Sequence, residues 1–200
     1  MKNIGILGGT LNPIHLGHLV MAQTAKERLN LDKILFMPSG CPPHKNIDLI
    51  ADKNHRSNMI KLAIEDNPYF EFSDFELKRS GIIYTADTLR ILNEQYPEYN
   101  FFFIMGADSF FAIEDWKTPE EIFKLCTVVV VDRYEVTDKI KSMIEYFKNK
   151  YEGHIIFINS PLINISSSYI RDNVKNDISI KYLVSNEVEK YIIENELYRT

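Results

Sequence analysis

The chain has 200 residues, 45% hydrophobic and 26% charged, with a formal net charge of −5, which suits one well-filled soluble domain over residues 1–200 and gives no reason to expect nucleic-acid binding. No apolar run approaches the roughly 18 residues of a membrane span, and the first residues read as a strand rather than a signal peptide. Cys41 and Cys126 make neither a disulfide framework nor zinc spacing, so a cytoplasmic protein with reduced thiols and no dedicated metal site is expected.

Ile4 to Leu7 is a short apolar run that fits a buried strand. Gly8 and Gly9 follow, then His15 and His18, then the amphipathic series Leu19, Val20, Ala22, Ala25 and Leu29. A strand thus passes through a glycine turn into a helix over 16–29 whose first turn carries His-x-Gly-His. Gly8 and Gly9 let the backbone approach a bulky anion. The helix start offers N–H groups and partial positive charge to a phosphate, and Thr10 adds a hydroxyl. Residues three apart are neighbours on a helix, so both histidines share one face, with Gly17 between them leaving room for a ligand. The bland alternative is a tight strand–helix turn with two incidental histidines. No Gly-x-x-x-x-Gly-Lys-Ser/Thr is present, and the dinucleotide fingerprint is absent from this turn.

Residues 33–37 read as a second strand, and 38–53 as a polar loop whose Pro42-Pro43 stiffens the presentation of His44 and Lys45. Asn54 is placed to cap a helix to about 66, its apolar face formed by Met59, Ile60, Ala63 and Ile64. Residues 69–77 read as a strand, 78–83 as a turn, and Thr85 or Asp87 as the cap of a helix to 95. The most apolar strand candidate is 100–105, hence central, and it ends in Gly106 and Asp108, where α/β sheets bind ligands. The alternative for Asp108 is a helix cap. Residues 110–117 look helical and end at Trp116, the only tryptophan; core packing is the alternative for it. Thr118-Pro119 starts another helix, and 127–131 is a buried strand followed by Asp132-Arg133-Tyr134. An amphipathic helix over 136–147 and a strand over 154–158 follow.

Ile165-Ser-Ser-Ser-Tyr-Ile-Arg171 combines N-cap serines with an arginine four residues after Ser167. Ser166, Ser167 and Arg171 make a second anion site at a helix start, unless the serines only cap and the arginine only faces solvent. A helix over 183–197 closes the chain. Alternating strands and helices give an α/β class with a mostly parallel sheet. Two phosphate-binding helix starts at opposite ends of the sequence would grip a polyphosphate from two sides if adjacent parallel strands brought them to one crevice. Phosphoryl or nucleotidyl transfer is the reaction class that fits.

Gly8 to His18 together with Ile165 to Arg171 resembles the His-x-Gly-His nucleotidyltransferase superfamily. More closely, the chain resembles the bacterial nicotinate-mononucleotide adenylyltransferases. Supporting segments are Phe36-Met-Pro38, Pro42-Pro-His-Lys45, Tyr84-Thr-Ala-Asp-Thr88, Phe103-Ile-Met-Gly-Ala-Asp108, Trp116, and the ending from Tyr182 through Tyr191 to Tyr198. The resemblance implies a Rossmann-like nucleotidyltransferase fold with helices on both faces. It implies transfer of AMP from ATP to nicotinate mononucleotide, with Mg²⁺ accompanying ATP, in a monomer or homodimer of NAD biosynthesis.

In that reading Gly8, Gly9, Thr10, His15 and His18 surround the ATP phosphates. His18 stabilises charge at the α-phosphate, Ser166, Ser167 and Arg171 hold the β and γ phosphates, and Gly106 and Asp108 bind the adenosine ribose. His44 and Lys45 lie near the acceptor phosphate, Trp116 stacks on the pyridine ring, and the N–H groups of Thr85 and Lys117 receive its carboxylate, with Arg133 nearby. Leu11-Asn12 stands where the family commonly has Phe-Asp, and Asp132-Arg133-Tyr134 replaces a usual basic-Arg-Pro-like run. Rival readings are an adenylyltransferase for phosphopantetheine, an amide-preferring nicotinamide mononucleotide enzyme, and a non-catalytic nucleotide sensor.

Overall fold

The computed structural model describes residues 1–40, 50–132, 137–161 and 163–199. Strands β1 (Lys2–Gly9), β2 (Lys33–Pro38), β3 (Phe70–Phe72), β4 (Tyr99–Gly106), β5 (Thr127–Asp132) and β6 (Ile155–Asn159) form one sheet in the order β3-β2-β1-β4-β5-β6. Every neighbouring pair is parallel. β4 is indeed interior. Its side chains alternate, with Phe101, Phe103 and Met105 in one apolar layer and Ile104 in the other, so both faces are buried.

Helices cover both faces. α1 (Leu16–Leu29), α2 (Lys53–Ile64), α7 (Ser167–Lys175) and α8 (Asn186–Glu194) pack through Ala22, Met59, Ile170 and Val188 against one layer. α3 (Thr85–Gln95), α4 (Ala107–Phe111), α5 (Pro119–Leu125) and α6 (Asp138–Tyr151) pack through Leu89, Phe110, Phe123 and Phe147 against the other. No helix among the described residues is long and apolar enough to cross a membrane.

Local chemistry explains where the elements depart from expectation. The strand expected over 69–77 stops at Phe72. Ser73 still donates its N–H to Phe36 O at 3.0 Å, but its hydroxyl takes the Phe75 N–H in a turn. Asp52, not Asn54, caps α2, accepting the Asn54 N–H at 2.8 Å. The helix expected over 110–117 begins earlier, at Ala107 with Gly106 in the cap position, and gives way to a 3-10 turn over Ile113–Asp115. Phe110 and Ile113, both fully buried, dictate that path.

The sheet order reverses between β1 and β4. The connection from β1 runs toward β2 and that from β4 toward β5, so their carboxyl ends part and leave a crevice, the usual ligand position in this architecture.

Candidate active site

The crevice is floored by the turn after β1. Gly9 has φ +145° with open space where a Cβ would lie, so its backbone alone demands glycine. Gly8 serves packing instead, because a Cβ there would meet the Phe103 ring at 3.2 Å. Arg56 of α2, 2% exposed, straightens the rest of the turn. Its Nη1 donates to Thr10 O (3.0 Å) and Ser39 O (2.9 Å), and its Nε to Ala51 O (3.2 Å). Burial lowers the guanidinium pKa, and the Tyr198 phenol and Asp52 oppose that shift. Arg56 was missed from sequence, although its spacing to Met59, Ile60 and Ala63 puts it on the apolar stripe of α2, where a cation signals a buried task.

His15 occupies the cap position of α1 and is buried; His18 is half-exposed. Their rings stack with centroids 3.7 Å apart. His15 N–H donates to His18 Nδ1 at 3.2 Å. A neutral ring accepting through Nδ1 carries its proton on Nε2, which makes that nitrogen a donor. The helix-start amides are less available than the sequence suggested. Leu16 N–H is taken by Leu183 O (3.0 Å) and His18 N–H by His15 O (2.9 Å). Gly17 has a purpose beyond room for a ligand: a Cβ would press on His15 Nδ1 at 3.0 Å.

The second helix start reaches the same turn, but not through adjacent strands, since β4 and β5 separate β1 from β6. The contact is made by side chains at the head of α7. Ser167 Oγ donates to Pro13 O at 2.9 Å, and Arg171 Nη1 donates to Asn12 O at 2.8 Å and its Nη2 to Ser168 Oγ at 3.3 Å. Ser166 caps α7 by accepting the Tyr169 N–H. Asn12, 4% exposed, ties in two further segments: its Oδ1 accepts the Tyr198 hydroxyl (2.8 Å) and the Ala51 N–H (3.0 Å). Burial raises the Tyr198 pKa, with Arg171 and Arg56 opposing it, so the phenol stays a donor.

Two clefts open on either side of this turn. The smaller, about 340 Å³, takes in Gly8, Gly9, Thr10, Thr85, Trp116 and Lys117; the larger, about 510 Å³, takes in His15, Asp108 and the 163–165 segment. His18, Met21 and Gly106 belong to both walls. Thr85 is the first residue of α3, whose cap position is Tyr84, so its amide lies at an open helix start. Trp116 is half-exposed and stands edge-to-face on Phe103, and Lys117 Nζ sits 4.2 Å from the Tyr84 ring centroid. Asp108 is exposed in the first turn of α4 and does not cap it. His44, Lys45 and Arg133 lie outside the described residues.

A family model described as cytidylyltransferase-like matches residues 6–173, which makes this six-stranded parallel sheet with a histidine turn at its switch point a nucleotidyltransferase fold. A Lachnoclostridium phytofermentans protein named "Probable nicotinate-nucleotide adenylyltransferase" is 39% identical, over 99% of this chain and 100% of its own. One of the same name from Caldicellulosiruptor saccharolyticus is 42% identical over 98% of both. The chain belongs to the nicotinate-nucleotide adenylyltransferase family. Its fold matches that of the Plasmodium falciparum nicotinic acid mononucleotide adenylyltransferase complexed with NaAD, with a TM-score of 0.84 at 24% identity over 99% and 98% of the two chains.

Proposed function

We propose that this protein transfers the adenylyl group of ATP to nicotinate mononucleotide, giving nicotinate adenine dinucleotide and pyrophosphate, as a cytoplasmic step of NAD biosynthesis. The observation that carries this reading is that His18 belongs to the walls of two clefts at once. One cleft takes ATP, the other the acceptor, and the reacting phosphates meet at His18.

The acceptor phosphate is itself the nucleophile. With a second pKa of roughly 6, it is largely ionised at pH 7 and needs no general base. Its oxygen attacks the α-phosphorus, the bond from that phosphorus to the bridging oxygen breaks, and pyrophosphate leaves with the electron pair. His18 donates from Nε2 to the α-phosphate as charge builds there, and His15 orients the His18 ring through the stacked contact. Arg171, Ser166 and Ser167 at the head of α7 hold the β and γ phosphates and favour departure. Gly106 and Asp108 receive the ribose.

In the smaller cleft Trp116 stacks on the pyridine ring, while the Thr85 and Lys117 amides, with Arg133, favour the carboxylate over the amide. His44 and Lys45 complete the acceptor phosphate site. Among the described residues no three His, Cys, Asp or Glu side chains cluster as metal ligands. Mg²⁺ would accompany ATP, with the phosphate oxygens among its ligands.

The test is pyrophosphate release with ATP and Mg²⁺ and, in parallel, nicotinate mononucleotide, nicotinamide mononucleotide or phosphopantetheine. Release with the first alone is expected. Release with another alone would overturn the acceptor assignment, and ATP binding without any release would favour the sensor reading.

A further inference from the structure

The smaller cleft contains one acidic side chain that the reaction above does not use. Glu76 sits in the wall between β3 and α3. Its Oε1 accepts the Thr88 hydroxyl at 2.8 Å, and Arg79 Nη1 donates to that same hydroxyl oxygen at 2.9 Å. A hydroxyl has a single proton. With arginine donating to its oxygen, the proton is directed at Glu76, so the three groups have one arrangement.

The Gly40 amide favours the charged form of Glu76, so it lies on the carboxylate side of this segment. A Cβ at Gly40 would lie 2.7 Å from Glu76 O, so the chain leaving β2 packs flush on this segment. Thr88 is 3% exposed and stands on α3 three residues after Thr85, while Gly40 follows Ser39, which also lines the cleft. Glu76 therefore joins the helix on one side of the cleft, through its carboxylate, to the strand exit on the other, through its backbone.

A carboxylate beside a site for an anionic substrate is electrostatically unfavourable unless another task retains it. Burial raises the Glu76 pKa, and the Thr88, Arg79 and Gly40 contacts oppose that rise. Its Oε1 accepts the Thr88 hydroxyl and its backbone packs on Gly40, which gives it a geometric task.

We propose that Glu76 is a positioning residue for the acceptor, setting the spacing between the α3 start and the β2 exit so that the Thr85 amide meets the substrate carboxylate. This rests on the reading of the smaller cleft as the nicotinate mononucleotide site. It predicts an effect confined to one substrate, which general loosening of the fold would not produce.

The test is steady-state kinetics of Glu76→Met, Thr88→Val and the double variant, with each KM measured at saturating co-substrate and thermal melts run beside them. Each single change is expected to raise the nicotinate mononucleotide KM about five- to tenfold, the scale of one lost hydrogen bond, and to leave the ATP KM within about twofold. The double variant should be no worse than the worse single, because both changes break the same link. If Glu76→Met does not fold, Thr88→Val, which keeps the side-chain shape, decides. Unchanged acceptor KM, parallel rises in both KM values, or additive effects would overturn the proposal. Trp116→Ala is the control for the cleft. If that variant keeps the wild-type acceptor KM, the cleft assignment fails and the proposal with it; a raised KM there with an unaffected Thr88→Val overturns Glu76 alone.

Discussion

His15 and His18 are the same residue type, three positions apart, with different tasks. His15 is buried and starts the helix; His18 is half-exposed, and its Nδ1 is occupied by the His15 amide. His18→Ala should lower kcat by about a thousandfold, the loss typical of a transition-state donor, with the melting temperature near wild type. Near-normal turnover would remove it from the chemistry. Gly17→Ala should also cut activity in a folded protein, because the new methyl would lie 3.0 Å from His15 Nδ1 and displace the stacked pair; an unaffected kcat would mean the His15 ring has slack. Arg171→Ala should mainly raise the ATP KM, and an unchanged ATP dependence would take Arg171 out of the site. The glycine–histidine turn as the junction of β1 and α1, and the approach of Arg171 to it, were legible from sequence because their order is a chemical pattern. Asn12 and Tyr198 were not, since their link joins residues 186 positions apart, and no local periodicity encodes such a contact.

Among the elements, the helices whose apolar stripes are long were read to within a few residues, and α1 was read as it stands, Leu16–Leu29. Errors fell where side-chain turns compete with the backbone, as at Ser73, which ends β3 after three residues. The break between α4 and the 3-10 turn sets the course of the next residues: it brings the chain to Trp116 in an extended conformation, with ψ 158°. That turn is tied to α6 by Glu114, which accepts from Lys150 Nζ (2.6 Å), Tyr151 (3.1 Å) and Tyr146 (3.2 Å). The indole is thus held at a cleft edge without being sealed in the core. Trp116 fluorescence should therefore change on titration with nicotinate mononucleotide and saturate. A flat response at saturating acceptor would return Trp116 to a packing role.

For the molecule as a whole, the parallel α/β sheet with helices on both faces was legible because strand and helix periods alternate along the chain. Strand order was not, and the expectation that adjacent strands unite the two helix starts fails against an order that separates β1 from β6 by two strands. Side chains bridging to Asn12 and Pro13 achieve the convergence instead. Global integrity has a built-in reporter in Cys126, which is 8% exposed, with burial pushing its thiol pKa up to about 12. At pH 8 its alkylation, followed by peptide mapping, should require opening of the fold and should slow when ATP is bound. Labelling at the rate of an unfolded peptide would show that the α5–β5 junction opens on its own.

The bond between Asn12 and Tyr198 also sets a schedule for the newborn protein. At about 5–20 residues per second, the partners leave the ribosome roughly 10–40 s apart. For most of that interval the nascent chain carries its histidine motif without Ser167 and Arg171, and for all of it without Tyr198, to brace the turn. The turn after β1 is therefore made early and braced late, only once its partners more than 150 residues downstream have emerged.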